Sequence, residues 1–414
     1  MKSPLVFIAL VCGIFCACSG AATSNTTDAG DTLALRYAQQ LSLDQYKGYV
    51  QATLANPWKK GAVLHSYVLV PKGRVGDSLL QHDAQLQTME ATVVRTPIAH
   101  AVVFTTSHCA LLYDLYAQQA LSGVCDLAYI NLPDVQRRAK LPVRNTAKVV
   151  DCGSSMQPDV ERIMQLHPEA LLVSPFEQSG GFGKLATLNI PIIETADYME
   201  TSALGRAEWM KFYGLLFGRA QQAEGLFAQV DSNYQILMAK AQQTREKVSA
   251  FTERKMGSVW YVPGGRSTIA QLLRDARVTY PFADDTHAGS LALSFETVLN
   301  EAGNSDIWLI KYNHQPNTRQ ALLAEDAGYA QFKAFRQGKV FGCDCAAVPY
   351  YEEVDFHPDR LLNDILQIAH PTLTGPIALL SSYEIISAHE TNYLLFRGAD
   401  ARHRGFILRQ FAGR

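Results

Sequence analysis

The chain is poor in cysteine, with 8 in 414 residues, too few for a scaffold held by disulfides. Neither charge is in excess. Lys and Arg number 37 against 39 Asp and Glu, a formal net charge of −2. No basic surplus is left to neutralise a phosphate backbone, so a nucleic-acid partner is not expected. Beyond the N-terminus no run of ~18 uncharged apolar residues occurs, which argues against a further membrane span. Familiar catalytic strings are absent too. There is no GxSxG, no HExxH, and Lys184 is followed by Leu185 where a phosphate-binding loop needs Ser or Thr. What the chain does have is 48% hydrophobic and 18% charged residues, enough to bury a large core and to exclude wholesale disorder. At ~150 residues per domain, the length allows two or three domains.

Residues 1–17 read as a signal peptide. Lys2 precedes an apolar run, Leu5 to Phe15, that is shorter than the ~20 residues a bilayer span needs. The run ends at Ala17-Cys18, and a small residue before cysteine resembles a bacterial lipoprotein signal, implying cleavage before Cys18 and lipid on its sulfur. An ordinary secretory signal is the alternative. Residues 18–30, small and polar after the cysteine, suit a lipidated tether. The expected location is the periplasm of a Gram-negative bacterium, lipid-anchored to a membrane. If Cys18 carries lipid, Cys109, Cys125, Cys152, Cys343 and Cys345 remain, an odd number, so at least one is free. Cys343-Asp344-Cys345 is not a CxxC pair, and cysteines one residue apart bridge poorly. A metal role for that pair is the minor reading, and no metal site is expected.

Residues 31–95 form a strand-rich prelude, with runs at 49–54 and 62–70. An α/β block follows over 96–201, with buried strands expected at 101–104, 148–150, 170–173 and 190–193. A second block at 256–373 carries strands at 258–262, 306–310 and 339–342. Short uninterrupted apolar runs separated by helical patterns argue for parallel sheets covered on both faces. Between the blocks, residues 202–255 read as helical. Proline is absent from 219–250, so one helix of ~30 residues, ~45 Å long, is expected there. Gly181-Phe-Gly-Lys-Leu-Ala186 fits GxGxxA, but too few residues separate it from the strand at 190 for a βαβ crossover. It is read as a mobile loop.

Four stretches in order and spacing carry a resemblance. Pro97–His108 is a proline-led strand running into a Thr/Ser-capped helix. Residues 153–173 contain Glu161-Arg-Ile-Met-Gln-Leu ahead of a strand. Leu293-Ser-Phe-Glu296-Thr-Val-Leu, followed by residues 304–310, repeats that unit. Phe356–Pro371 closes with a helix. Together they resemble the periplasmic binding proteins of ABC importers for iron complexes and cobalamin, in which one long helix joins two α/β lobes. The resemblance covers about residues 31–373; residues 374–414 are a tail of unknown role.

The resemblance implies a non-enzymatic, monomeric solute-binding protein that takes an iron complex (siderophore or haem) in the inter-lobe cleft and delivers it to the permease and ATPase of an ABC importer. Cobalamin is the close alternative; an iron-stripping chelatase is the enzymatic one. No cofactor beyond the bound ligand is implied. Ligands of open parallel sheets collect at the carboxyl ends of the strands. The candidate ligand residues there are Thr106, Ser107, His108, Ser155, Met156 and Phe176 in the first lobe, and Gly265, Arg266, His287, Tyr312, Tyr350 and Tyr351 in the second. Arg266 follows a glycine pair and is expected to meet an anionic ligand. Glu161 and Glu296 open equivalent helices, where the resemblance implies docking on permease arginines. A stiff connecting helix implies that closure amounts to a few degrees.

Overall fold

The computed structural model describes residues 31–177, 181–316, 318–374 and 380–387. The signal, Cys18, the tether and most of the tail lie outside these residues. The architecture is mixed α/β with two lobes, each built on a five-stranded sheet.

The prelude forms its own sheet from Asp31–Thr32, Leu41–Tyr46, Tyr49–Ala55, Val63–Pro71 and Thr92–Thr96, in chain order, with the last pair parallel. Two short helices, Arg74–His82 and Ala84–Thr88, sit between its last two strands. Tyr67 is fully buried and joins this sheet to the first lobe: its hydroxyl donates to the Ile192 carbonyl at 2.9 Å and accepts from the Glu194 N–H at 2.8 Å.

The first-lobe sheet is parallel throughout, ordered Ile192–Glu194, Ala170–Val173, Ala101–Val103, Leu121–Val124, Val150–Asp151. Ala101–Val103 and Ala170–Val173 are wholly buried, as expected of central strands covered on both sides. Leu121–Val124 was not foreseen, because Ser122 and Gly123 interrupt its apolar signal.

The second-lobe sheet is ordered Val278–Thr279, Val248–Thr252, Ile307–Tyr312, Val340–Asp344, Glu384–Ile385, and only the last pairing is antiparallel. Two expectations change here. The run at 258–262 forms Val259–Pro263, which belongs to a separate antiparallel sheet with Lys255–Met256 and Ser290–Leu293. Part of the tail belongs to this lobe: Glu384–Ile385 pairs with the Val340–Asp344 strand, and Ile386 is 1% exposed.

The connecting helix is shorter than expected. Ala220–Ala241 spans 22 residues, ~33 Å at 1.5 Å per residue. Chain beyond the turn at 242–244 becomes strand Val248–Thr252, whose apolar Ala250 and Phe251 are buried in the second sheet. Ahead of the helix, Gly218 adopts φ 66° and packs on Pro97. This left-handed step separates Met210–Leu216 from Ala220–Ala241. Phe227, Val230 and Tyr234 mark the long helix's buried stripe, which faces Met210–Leu216 and the closing helix Pro358–Ala369.

Asp364 on that closing helix is fully buried and accepts the backbone N–H groups of Ser381 and Ser382 at 2.8 and 2.7 Å. Burial nevertheless raises its pKa to about 6, the backbone donors only partly offsetting it. A carboxyl raised in the folded state binds protons more tightly folded than unfolded, so its contribution to stability falls as pH rises from about 4 to about 6. The difference amounts to roughly 2–3 kcal/mol. Urea midpoints compared across that window should show a smaller acid-side gain for Asp364→Asn than for the parent chain.

Candidate functional site

The carboxyl ends of the first-lobe strands open into a cavity of about 800 Å³. Phe104 and Thr105 follow the first strand, Ser174, Pro175 and Phe176 follow Ala170–Val173, and Thr195, Asp197 and Tyr198 follow Ile192–Glu194. The hairpin formed by Gly153–Ser154 and Gln157–Pro158 supplies Ser155 and Met156 at its tip. The GxGxxA string, expected as a mobile loop, includes part of the 3₁₀ turn Gly183–Thr187 and contributes Phe182, Lys184 and Leu185. The walls are thus mainly apolar and aromatic. The polar groups are the hydroxyls of Thr105, Ser107, Ser155, Ser174, Thr195 and Tyr198, the Gln157 amide and the exposed Lys184 ammonium, with a charged floor.

That floor is a buried network. His108 Nε2 lies 3.0 Å from Asp197 Oδ1 and 2.8 Å from the Tyr213 hydroxyl, and its Nδ1 meets Thr105 Oγ1. Arg206, from helix Ala203–Glu208, donates through Nε to Asp197 at 3.1 Å and through Nη2 to Asp355 of the second lobe at 2.6 Å. Burial would raise the Asp197 pKa, but His108, Arg206 and Tyr213 outweigh it and hold it down at about 2. Asp355 shifts the other way: burial raises it, and Arg206 offsets this only in part. The Arg206 guanidinium of the floor therefore already faces two carboxylates.

A second cavity of about 280 Å³ lies in the second lobe, lined among others by Glu253, Arg254, Tyr261, Ser267 and Lys311. Lys311 Nζ sits 2.7 Å from Glu253 Oε1 and lies 5.4 and 5.9 Å from the ring centroids of Tyr350 and Tyr351. Burial works against the ammonium, but Tyr350, Glu253 and Tyr351 together hold its pKa above the ordinary lysine range.

Ser107, His108, Ser155, Met156 and Phe176 line the large cavity. Thr106 turns away from it: its hydroxyl donates to Glu352 Oε1 of the second lobe at 2.8 Å, and the Asn131 N–H reaches the same oxygen at 2.7 Å. Gly265 and Arg266 line neither of these two cavities; Gly265 is packed against the carbonyls of Phe282, Ala283 and Asp285, and Arg266 is exposed. His287 is 70% exposed and pairs with Asp285. Tyr312 is buried and donates to Glu384, while Tyr350 is buried and Tyr351 half-exposed at the Lys311 cluster. Sequence reasoning missed Asp197, Tyr198, Arg206 and Glu253; it placed Lys311 at a second-lobe strand end but gave it no ligand role. Asp197 and Tyr198 sit just past the strand at 190–193, so reading one strand end further would have found them.

Glu161 and Glu296 occupy matched places. Each is exposed and is the second residue of its helix, Val160–Gln165 or Phe295–Ala302, behind an N-cap whose side chain accepts a backbone N–H, Asp159 or Ser294. Each helix leads into a central strand, Ala170–Val173 or Ile307–Tyr312.

The family model described as "Periplasmic binding protein" matches residues 102–347. An uncharacterized lipoprotein of Methanocaldococcus jannaschii is 27% identical over 231 residues, 54% of this chain and 53% of the relative, so the match spans about half the relative's length. Its archaeal source lends no support to a Gram-negative host. A periplasmic heme-binding protein from Pseudomonas aeruginosa superposes with TM-score 0.55 at 17% identity, covering 71% of this chain and all of that one. IsdE of S. aureus, complexed with heme, superposes with TM-score 0.52 at 20% identity, covering 66% and 98%. These two likenesses establish the fold.

Proposed function

We propose, from the premise that this chain belongs to the periplasmic binding protein family, that it is an extracytoplasmic solute-binding lipoprotein serving an ABC importer for a haem-type iron complex. The first-lobe cavity carries the reading. Its size suits a large ligand, its walls are apolar and aromatic, and its charged floor is already paired internally. With Lys184 as the one lining cation outside that floor among the described residues, such a site favours a broad apolar ligand with a few anionic groups over a strongly anionic ferric siderophore. The haem-binding proteins of the same fold are consistent with this choice. His108 is committed to Thr105, Asp197 and Tyr213, so Met156, 74% exposed on the rim, and the Tyr198 hydroxyl in the lining are the side chains fit to approach a ligand iron. The lipid anchor on Cys18 lies outside the described residues; the lipoprotein relatives support it.

Phe176 is 49% exposed at the cavity mouth and would be covered by the ligand. Phe176→Ala should weaken haem binding by roughly 10- to 150-fold, the equivalent of about 1.5–3 kcal/mol of lost apolar burial. Arg266→Ala should leave affinity unchanged. Absorbance titration with haem, a ferric siderophore and cobalamin tests both points, and a siderophore or cobalamin binding in preference to haem would replace the ligand assignment.

Glu161 and Glu296, at equivalent exposed helix starts, are proposed to meet basic sites on the permease. Glu→Arg at either position should lower uptake with ligand affinity intact. Normal uptake by both variants would remove this assignment.

A further inference from the structure

Spacing argued that Cys343 and Cys345 bridge poorly, but the fold brings them together. Asp344 ends its strand, the chain turns, and the two Sγ atoms come to lie 3.8 Å apart, both buried. The turn is held by the Cys345 N–H donating to the Tyr312 carbonyl at 2.8 Å. Its outer side faces the other lobe: the Cys345 carbonyl accepts from Asn131 Nδ2 at 2.8 Å, and the Asn131 N–H also holds Glu352. We propose that Cys343 and Cys345 are a reversible dithiol–disulfide pair whose oxidation loosens the Asn131 clasp between the lobes.

Cys345 is the attacking sulfur. It is 8% exposed against 0% for Cys343. The sulfur–sulfur hydrogen bond with Cys343 and the charge of the Lys311 ammonium together hold its thiol below the ordinary cysteine range despite burial. The Cys345 thiolate attacks one sulfur of a small-molecule disulfide, forming a mixed disulfide and releasing the first thiolate. Cys343 then gives up its proton, its sulfur attacks the Cys345 sulfur, and the second thiolate leaves. Two protein thiols are oxidised, one external disulfide is reduced to two thiols, and the two protons end on them. The sulfurs must close to about 2.05 Å. The part of that closure taken up by the Cys345 main chain falls on the carbonyl that holds Asn131.

The full chain is equilibrated with oxidised or reduced glutathione, digested with trypsin and weighed. The peptide 340–360 should lose two hydrogens in the oxidised sample, resist alkylation at both cysteines, and revert with reduced glutathione; Cys343→Ser and Cys345→Ser should each abolish the change. Full alkylation of both cysteines after oxidation would overturn the proposal, as would a glutathione adduct that persists on this peptide or a bridge to Cys109, Cys125 or Cys152. The clasp is read separately by hydrogen exchange. Amides of 127–133 should exchange faster in the oxidised chain, and reduced Asn131→Ala should show the same increase. Unchanged exchange on oxidation would separate the thiol pair from the lobe contact and overturn that half.

Discussion

Arg206→Ala is expected to lower stability by roughly 3–5 kcal/mol, the range for breaking a buried ion pair by removing one partner. Its side chain is 20% exposed, and its two carboxylate partners are 0% and 9% exposed. Asp197 would keep His108 and Tyr213. Asp355 would lose its salt-bridge partner and keep the Ser107 hydroxyl. Burial already raises the Asp355 pKa with Arg206 in place; without Arg206 it rises further. The variant's deficit should therefore be largest near neutral pH and shrink on acidification, as Asp355 takes up a proton. Adding Asp355→Asn to Arg206→Ala should recover part of the loss at neutral pH. Urea unfolding at two pH values checks the sign. A deficit independent of pH would mean that Asp355 is not the group left behind. Because Arg206 touches both lobes, its loss should also widen the cleft, which small-angle scattering reads independently.

Glu208→Ala is expected to cost a similar 3–5 kcal/mol and to free the start of the prelude. Its carboxylate is 0% exposed and accepts the backbone N–H groups of Arg36, Tyr37 and Ala38 at 3.0, 2.8 and 3.0 Å, with Lys211 at 3.2 Å. Stranding partly buried donors costs about 1–3 kcal/mol each, and some regain water when the segment moves, which brings the sum down to the stated range. Glu200 does the same for Gln39 and Gln40, and also accepts from Trp209 Nε1 at 2.9 Å. Cleavage by trypsin after Arg36 should accelerate in Glu208→Ala and much less in Glu208→Gln, whose amide oxygen still accepts. Equal resistance in all three chains would show that Glu208 does not hold the segment.

The amino-acid sequence by itself determined that the lobe sheets are largely parallel, that paired helix–strand units bear Glu161 and Glu296, and that Ser107, His108, Ser155, Met156 and Phe176 gather past the first-lobe strand ends. Each is local: an apolar run of four residues, a cap followed by an acidic first turn, a loop past a strand end. Tertiary structure alone decided the rest. The strands Val248–Thr252 and Glu384–Ile385 became sheet members because a neighbouring strand offered backbone partners, which no local period announces. Arg266, read as a ligand contact from its glycine turn, stands exposed. Arg206 looked like any helix-surface arginine until Asp355, 149 positions further along the chain, closed on it. The sulfurs of Cys343 and Cys345 met because the turn after the strand is held by the Cys345 N–H donating to the Tyr312 carbonyl and by Asn131 donating to the Cys345 carbonyl. Charge pairing and sulfur contact depend on distances between remote segments, and those distances exist only once the lobes have packed.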